Sequence, residues 1–351
     1  MLADKNKTDI KELSAEKLAS WLKDNEIEPY RSAQILKWIY LKQVDSFDMM
    51  TDLSKEVRKL LSLTFSIKRL EKVTTKKSKD GSRKYLFRLK DGNHIESVLI
   101  PEKDHYTLCI SSQVGCAQGC SFCLTAKDGF TRNLTKDEIV SQVRDVKKDH
   151  ADPKPVTNIV FMGMGEPLAN YKNVVDALNM ILNKSFGLGF SSRRVTISTA
   201  GLVQKFSDLG NETEVNLAVS LNATENETRS MLMPINNKYP IEKLLDACQR
   251  YHLKPRRRIT FEYILLKGIN DSTEDANRLT KLLQPIRGKI NLIPFNEYDG
   301  SIFRRPEESV VNRFLEILHT NGYTAIIRHS KGQDICAACG QLRAKIGADP
   351  C

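Results

Sequence analysis

The chain of 351 residues is short of several things, and each shortage narrows what it can be. No segment has an uninterrupted apolar run long enough to span a bilayer, and the first thirty residues hold none long enough for a signal peptide, so the expectation is a cytoplasmic protein without a membrane. Without an export signal the eight cysteines read as thiols, ligands or catalysts rather than as a disulfide framework. No internal repeat or low-complexity tract is present, which leaves a globular chain with material for about two domains.

Acidic residues are also in deficit. The net charge of +11 calls for a polyanionic partner, because basic surfaces attract phosphate backbones through counterion release and steering. From Lys68 to Lys90 ten Lys or Arg face only Glu71 and Asp80, with Tyr85 and Phe87 interleaved. A second basic knot is Lys254, Arg256, Arg257 and Arg258.

The pattern changes along the chain. Residues 14 to 62 recur at helical spacing through Leu18, Trp21 and Leu22, then Ile35, Leu36, Ile39 and Tyr40, then Leu53, Val57, Leu60 and Leu61, with Ser14 and Ser54 as N-caps. Residues 68 to 100 turn strand-like, with tight turns at Asp80-Gly81 and Asp91-Gly92. Beyond Pro101 short β-rich runs (106–112, 158–162, 194–198, 215–221, 259–265, 290–294 and 324–328) alternate with helical stretches (136–147, 171–182, 241–251, 274–283 and 307–318). Such alternation predicts an α/β fold of parallel strands with helical crossovers, a full or partial barrel. The expected organisation is a helical accessory domain over 1–65, a basic β-meander over 66–100, the barrel over 101–345 and a tail over 346–351.

Cys116, Cys120 and Cys123 stand in GCAQGCSFC, a Cys-x3-Cys-x2-Cys run on a glycine-containing loop. Iron-sulfur clusters are usually held by four thiolates, so three leave one iron open to a substrate or cofactor. The bland alternative is a structural zinc with a fourth ligand from Cys109, Cys336 or Cys339, which makes the chain an RNA-binding module without catalysis. Paired Cys-x2-Cys knuckles are the commoner zinc pattern, and here only Cys120 and Cys123 form one. In a parallel barrel, chemistry collects at the carboxyl ends of the strands, where FMGMGEP (161–167), STAG (198–201), SLN (220–222) and PFN (294–296) all fall. Gly163 and Gly165 are expected to let the backbone approach a ligand, Glu166 to receive an ammonium group, and the Ser and Asn residues to fix ribose hydroxyls.

The cysteine spacing resembles that of the radical S-adenosylmethionine (SAM) enzymes. More specifically, IESVLIP (95–101), TLCISSQVGCAQGCSFC (107–123), FMGMGEPL (161–168), RRVTIST (193–199), MPIN (233–236) and DICAACGQL (334–342) resemble the radical-SAM adenosine-C2 methyltransferases that modify bacterial large-subunit ribosomal RNA and transfer RNA. The resemblance runs from about residue 15 to residue 345. It implies a partial (βα)6-type barrel with an N-terminal helical plus β-meander RNA-binding domain. It implies a 4Fe-4S cluster on Cys116, Cys120 and Cys123, and SAM contacts from Gly165, Glu166, Ser198, Ser220, Leu221, Asn222 and Asn296. It also implies two SAM per turnover: one methylates Cys339, the other, cleaved at the cluster, gives the radical that activates this methyl for addition to adenine. Glu96 then removes the ring proton and Cys109 attacks Cys339, releasing RNA with a Cys109–Cys339 disulfide. The implied partners are large-subunit rRNA at the peptidyl-transferase centre, tRNA at the adenosine 3′ of the anticodon and a reducing protein as electron donor, with the enzyme a monomer.

Chemistry favours a radical route independently, since carbon 2 of adenine lies between two nitrogens and is too electron-poor to attack a sulfonium methyl. Three departures from the family stand out: Cys336 occupies a position usually Asp, where a competing disulfide or an altered turn is expected; Asn222 replaces a frequent His; and Cys351 has no assigned role. The nearest rival methylates carbon 8 of the same ribosomal adenosine. Those enzymes tend to carry Ala where this chain has Pro167.

Overall fold

The computed structural model describes residues 7–344, so Cys351 lies outside the described residues. The chain forms two compact units. One gathers the segment ending at Glu71 with Thr135–Pro153 and Asn173–Ser191; the other gathers Lys72–Leu134, Lys154–Lys172 and the segment from Ser192 onward.

The first unit is helical. Ser14 caps helix Ala15–Asp24 by accepting the Lys17 N–H at 3.2 Å, and Ser54 caps Lys55–Thr64 by accepting the Val57 N–H at 3.3 Å. Thr135 and Glu138 close a capping box at the start of Lys136–Asp149. Most of the apolar positions at helical spacing are buried, Leu18, Leu22, Ile35, Ile39 and Val143 fully, whereas Trp21, Val57 and Leu60 are half-buried. Arg144 is buried with them, and it donates to the Ile39 carbonyl at 2.9 Å and to Asp145 at 2.6 Å.

The second unit is built on a single ten-stranded sheet. Its strands in chain order are β1 (Glu71–Lys77), β2 (Arg83–Arg88), β3 (His94–Pro101), β4 (Tyr106–Cys109), β5 (Val156–Phe161), β6 (Val195–Thr199), β7 (Asn216–Ser220), β8 (Ile259–Leu265), β9 (Gly288–Pro294) and β10 (Ala325–Ile327). Spatial order follows chain order throughout. From β4 to β10 every neighbouring pair is parallel, whereas β2–β3 and β3–β4 are antiparallel. The basic meander is therefore hydrogen-bonded onto the first barrel strand, and the sheet stays open, as a partial barrel does. Strands covered on both faces read as apolar runs; Ile159, Ile197, Leu217, Val219, Phe261 and Leu292 are all at most 1% exposed.

The first barrel strand ends earlier than its apolar pattern predicts. After Cys109 the polar groups leave the ladder: the Ser111 hydroxyl donates to the Glu96 carbonyl at 2.7 Å and the Ser112 N–H to the Met164 carbonyl at 2.8 Å. A separate antiparallel pair, Gln113–Gly115 with Phe130–Asn133, then frames the cysteine loop. Gly115 is indispensable there, with φ +71° and a Cβ position only 1.9 Å from the Gly129 carbonyl oxygen.

Candidate functional site

The carboxyl ends of the parallel strands enclose an open cavity of about 1040 Å³, mouth included, lined by Cys116, Cys120, Cys123, Gly165, Glu166, Ser198, Ser220 and Cys339 among others. Eight of the thirteen site residues that the resemblance implies thus face one space, together with Gly163. Among the described residues no three His, Cys, Asp or Glu converge closely enough to hold a single metal ion. The thiols surround a common volume instead.

The loop carrying the triad is fixed from several sides. The Cys116 N–H donates to the Gly129 carbonyl at 2.8 Å and the Ser121 N–H to the Leu232 carbonyl at 3.0 Å, while Cys120 and Cys123 pack against a buried cluster that includes Phe122, Leu232 and Met233. Burial pushes the Cys116 thiol up to about 12 and raises Cys120 and Cys123 as well; Cys123 adds to the rise at Cys116, and Cys123 and Cys116 add to that at Cys120. Alone these thiols stay protonated, and metal binding would release their protons. Three thiols on one rigid loop beside an open cavity fit an iron-sulfur cluster with a vacant iron.

Glu166 is 3% exposed and clamped by backbone: Oε2 accepts the Ala200 N–H at 2.7 Å and Oε1 the Leu168 N–H at 3.0 Å. Burial outweighs those hydrogen bonds and lifts its carboxyl to about 7. A cation entering the cavity would restore the charged form. The two glycines before it line the cavity and also pack tightly against the chain behind them. A Cβ on Gly163 would lie 2.7 Å from the Ile110 carbonyl oxygen, and one on Gly165, at φ +99°, would lie 2.5 Å from the Gln113 Cβ. Their close approach is to the end of β4 and the residues after it. That seats Glu166, whose own N–H donates to Gln113 Oε1 at 2.8 Å.

Several predicted residues stand behind the cavity wall. Leu221 is fully buried, and Asn222, held at φ +58°, uses its side chain to accept the Ile264 N–H at 2.9 Å and to donate to the Met233 sulfur at 3.2 Å. Asn296 donates to the Cys339 carbonyl at 3.2 Å and accepts from Gln333 at 2.9 Å. Cys109, on β4, is a buried free thiol whose ionisation is disfavoured first by burial and then by Cys339, and eased by Arg328. Glu96, on β3, is 4% exposed; Oε1 pairs with Lys84 at 3.1 Å and Oε2 accepts the Arg343 N–H at 2.9 Å.

The segment bearing Cys339 is sewn back onto the barrel. The Leu124 N–H donates to the Gly340 carbonyl at 2.7 Å, Thr125 to the Leu342 carbonyl at 2.6 Å and Gln341 to the Glu297 carbonyl at 2.8 Å. Cys339 keeps an exposed surface at the cavity yet has protein around most of it, and this desolvation raises its thiol pKa while Arg328 pulls it back. Cys336 is disulfide-bonded, and the competing bond to Cys339 is not formed, since Cys339 is a free thiol. Cys336 itself sits in the left-handed region, at φ +52°.

Three side chains escaped sequence reasoning. Glu262 and Arg328 line the cavity, and Arg229 lies buried beneath its wall. Glu262 and Arg328 fall on or just after strands whose apolar pattern hides them. Arg229 belongs to a short helix, Asn226–Leu232, with too few turns to show a period.

Comparison with known proteins agrees with this arrangement. Residues 110–279 match the radical SAM superfamily, and residues 8–67 match the ribosomal RNA large subunit methyltransferase N-terminal domain. The chain is 58% identical over 338 residues to the dual-specificity RNA methyltransferase RlmN of Desulfosudis oleivorans, covering 96% of this chain and 91% of that protein. It is 55% identical over 340 residues to the protein of the same name from Geobacter sulfurreducens, covering 97% and 93%. The crystal structure of a radical SAM methyltransferase from Sphaerobacter thermophilus superposes with a TM-score of 0.91 at 42% identity, covering 96% of this chain and all of that one. Among the described residues no helix is long and apolar enough to cross a membrane. With its cysteine triad, its carboxylate and its returning Cys339 around one cavity, the chain belongs to the RlmN family of dual-specificity RNA methyltransferases within the radical SAM superfamily.

Proposed function

We propose that this chain methylates carbon 2 of adenosine in large-subunit rRNA, at the peptidyl-transferase centre, and in tRNA, 3′ of the anticodon, through a methyl group carried on Cys339. The observation that carries the reading is that Cys339, more than two hundred residues from the triad in sequence, faces the same cavity as Cys116, Cys120, Cys123 and Glu166. A 4Fe-4S cluster on the triad, once bound and reduced, supplies reductive cleavage of SAM to a 5′-deoxyadenosyl radical. The chain's own residues then have separate tasks. Glu166 receives the SAM ammonium, with Gly165 and Ser198 beside it and Ser220, Leu221, Asn222 and Asn296 shaping the rest of the SAM site. The Cys339 sulfur takes a methyl group from SAM by displacement at the methyl carbon, with S-adenosylhomocysteine leaving, and presents that methyl, once a hydrogen atom has been taken from it, to the target carbon. Glu96 removes the proton from that carbon, and the Cys109 thiolate attacks the Cys339 sulfur to free the product. Support for Glu96 is its hydrogen bond to the Arg343 N–H, four residues beyond Cys339. Support for Cys109 is its electrostatic proximity to Cys339.

The helical segment 1–65 and the basic strands of 66–100 serve RNA binding, and 101–345 is the catalytic barrel; the tail expected over 346–351 lies outside the described residues. A reducing protein delivers the electron, and the enzyme works as a cytoplasmic monomer.

Cys109→Ala is expected to accumulate a covalent protein–RNA adduct through Cys339, visible as a slower band on denaturing gels of anaerobic reactions. Normal turnover by that variant, or the absence of any trapped species, overturns the assignment. Nucleoside mass spectrometry separates 2-methyladenosine from the 8-methyl isomer. Pro167, which opens a 3-10 turn capped by Glu166, favours carbon 2. Zinc without iron and sulfide after anaerobic purification would favour the scaffold alternative.

A further inference from the structure

We propose that Arg229 is the buried counter-charge of the iron-sulfur cluster, a positioning residue that holds the cluster's reduction potential up; this rests on the cysteine triad holding that cluster. Arg229 is fully buried. Its guanidinium donates to the carbonyls of Ala200 at 2.8 Å, Leu221 at 3.0 Å and Ser220 at 3.2 Å, and to Asn236 Oδ1 at 3.0 Å. A longer contact at 3.4 Å reaches the Tyr239 carbonyl. Every one of these acceptors is neutral. Among the described residues no carboxylate lies within ion-pair distance of it, although a buried charge ordinarily needs an opposite one.

The opposite charge arrives with the cluster. Arg229 sits on helix Asn226–Leu232, and the last carbonyl of that helix accepts both the Ser121 N–H at 3.0 Å and the Ser121 hydroxyl at 3.3 Å. Ser121 directly follows Cys120, and Ala200 and Ser220, whose carbonyls Arg229 grips, line the same cavity as the triad. Of the titratable groups that act on Arg229, Cys120 acts most strongly. Binding of the cluster turns three neutral thiols into thiolates, and the assembly is then net negative even before reduction. One further electron deepens that charge. A fixed cation in a low-dielectric wall stabilises the reduced form more than the oxidised one, so removing it must make reduction harder.

The test uses the full chain, reconstituted anaerobically with iron and sulfide and titrated with dithionite while the reduced-cluster signal is followed by electron paramagnetic resonance. Arg229→Gln and Arg229→Lys both lose the five-fold hydrogen-bond fork, but only the first loses the charge. The midpoint potential is expected to shift to more negative values in Arg229→Gln and to remain near the wild type in Arg229→Lys. Equal shifts in both variants, or no shift in Arg229→Gln, overturn the proposal. Should Arg229→Gln fail to retain a cluster, Cys248→Asp keeps the guanidinium and sets a carboxylate beside it, Cys248 being a buried group that also acts on Arg229. That variant is expected to lower the potential as well, and an unchanged value overturns the proposal. A wild type that takes up no iron and sulfide overturns the cluster reading and this one together, whereas a loaded wild type with an unmoved Arg229→Gln overturns only the role of Arg229.

Discussion

Arg144 in the helical unit and Arg229 in the barrel unit are both fully buried, and they are neutralised in opposite ways. Arg144 is flanked by Asp145 and Asp45, both in ion-pair contact, and it also donates to the Val44 carbonyl at 2.7 Å. Arg229 has only carbonyls and an amide oxygen. The helical unit is complete as protein: its internal charge is balanced by side chains encoded within it. The barrel unit is balanced only when something negative joins the three thiols above Arg229. A buried cation without a carboxylate therefore marks the place where the protein is made to receive a charged group.

Arg144→Ala tests the self-sufficient half of this contrast and should have the largest effect on stability. It leaves Asp45 and Asp145 without their shared cation, and a loss of about 3–5 kcal/mol is expected from urea unfolding. The cluster's reduction potential should stay where it is, because nothing near the thiols changes. A stability loss below about 1 kcal/mol would show that the pair is not needed and would break the comparison.

The ligand-dependent half is read through Glu166. Its carboxyl is raised from 4.5 to about 7 by burial, so without a cation it is neutral in mildly acidic solution. Because the folded value lies above the unfolded one, its contribution to stability is fully present below pH 4.5 and is lost as pH rises to about 7. SAM binding runs the other way. If the ammonium requires the carboxylate, affinity should fall about tenfold for each unit that pH drops below the Glu166 value. Calorimetric titration of the reconstituted protein with SAM from pH 5.5 to 8 would measure it, and a flat profile would remove Glu166 as the ammonium acceptor.

The smallest effect belongs to Thr135, whose hydroxyl caps the helix bearing Arg144 by accepting the Glu138 N–H at 3.4 Å. Thr135→Ala should cost about 1 kcal/mol, seen as a lower urea midpoint. SAM cleavage should be untouched. Impaired cleavage in this variant would mean that the helical unit is not merely self-contained.

Beyond Pro101 the chain was legible wherever an apolar run met a turn. The seven parallel strands and the five longer helices lie close to where periodicity predicts them, and the N-caps Ser14 and Ser54 do what their residue type suggests. Short helices such as Phe206–Glu212 and Asn226–Leu232 were not legible, because seven residues make only two turns and leave no repeated face. The glycines of GMGE were legible only in part. Glycine signals that something comes close, but not whether that something is a ligand or, as with Ile110 and Gln113, the neighbouring backbone.

Ligand chemistry was written in the chain itself: three cysteines close in sequence must share one loop, and their spacing fixes how many thiolates a cluster can receive. Distance along the chain decides nothing about which groups meet across the barrel rim. Only the tertiary structure brought Cys339 into the cavity of the triad, set Asn222 and Asn296 behind its wall, and buried Arg229 beneath it without a carboxylate. Burial is the physical reason: the cost of an unpaired charge, and the rise in the pKa of a thiol or carboxyl, depend on what surrounds the group and are invisible until the chain has closed around it.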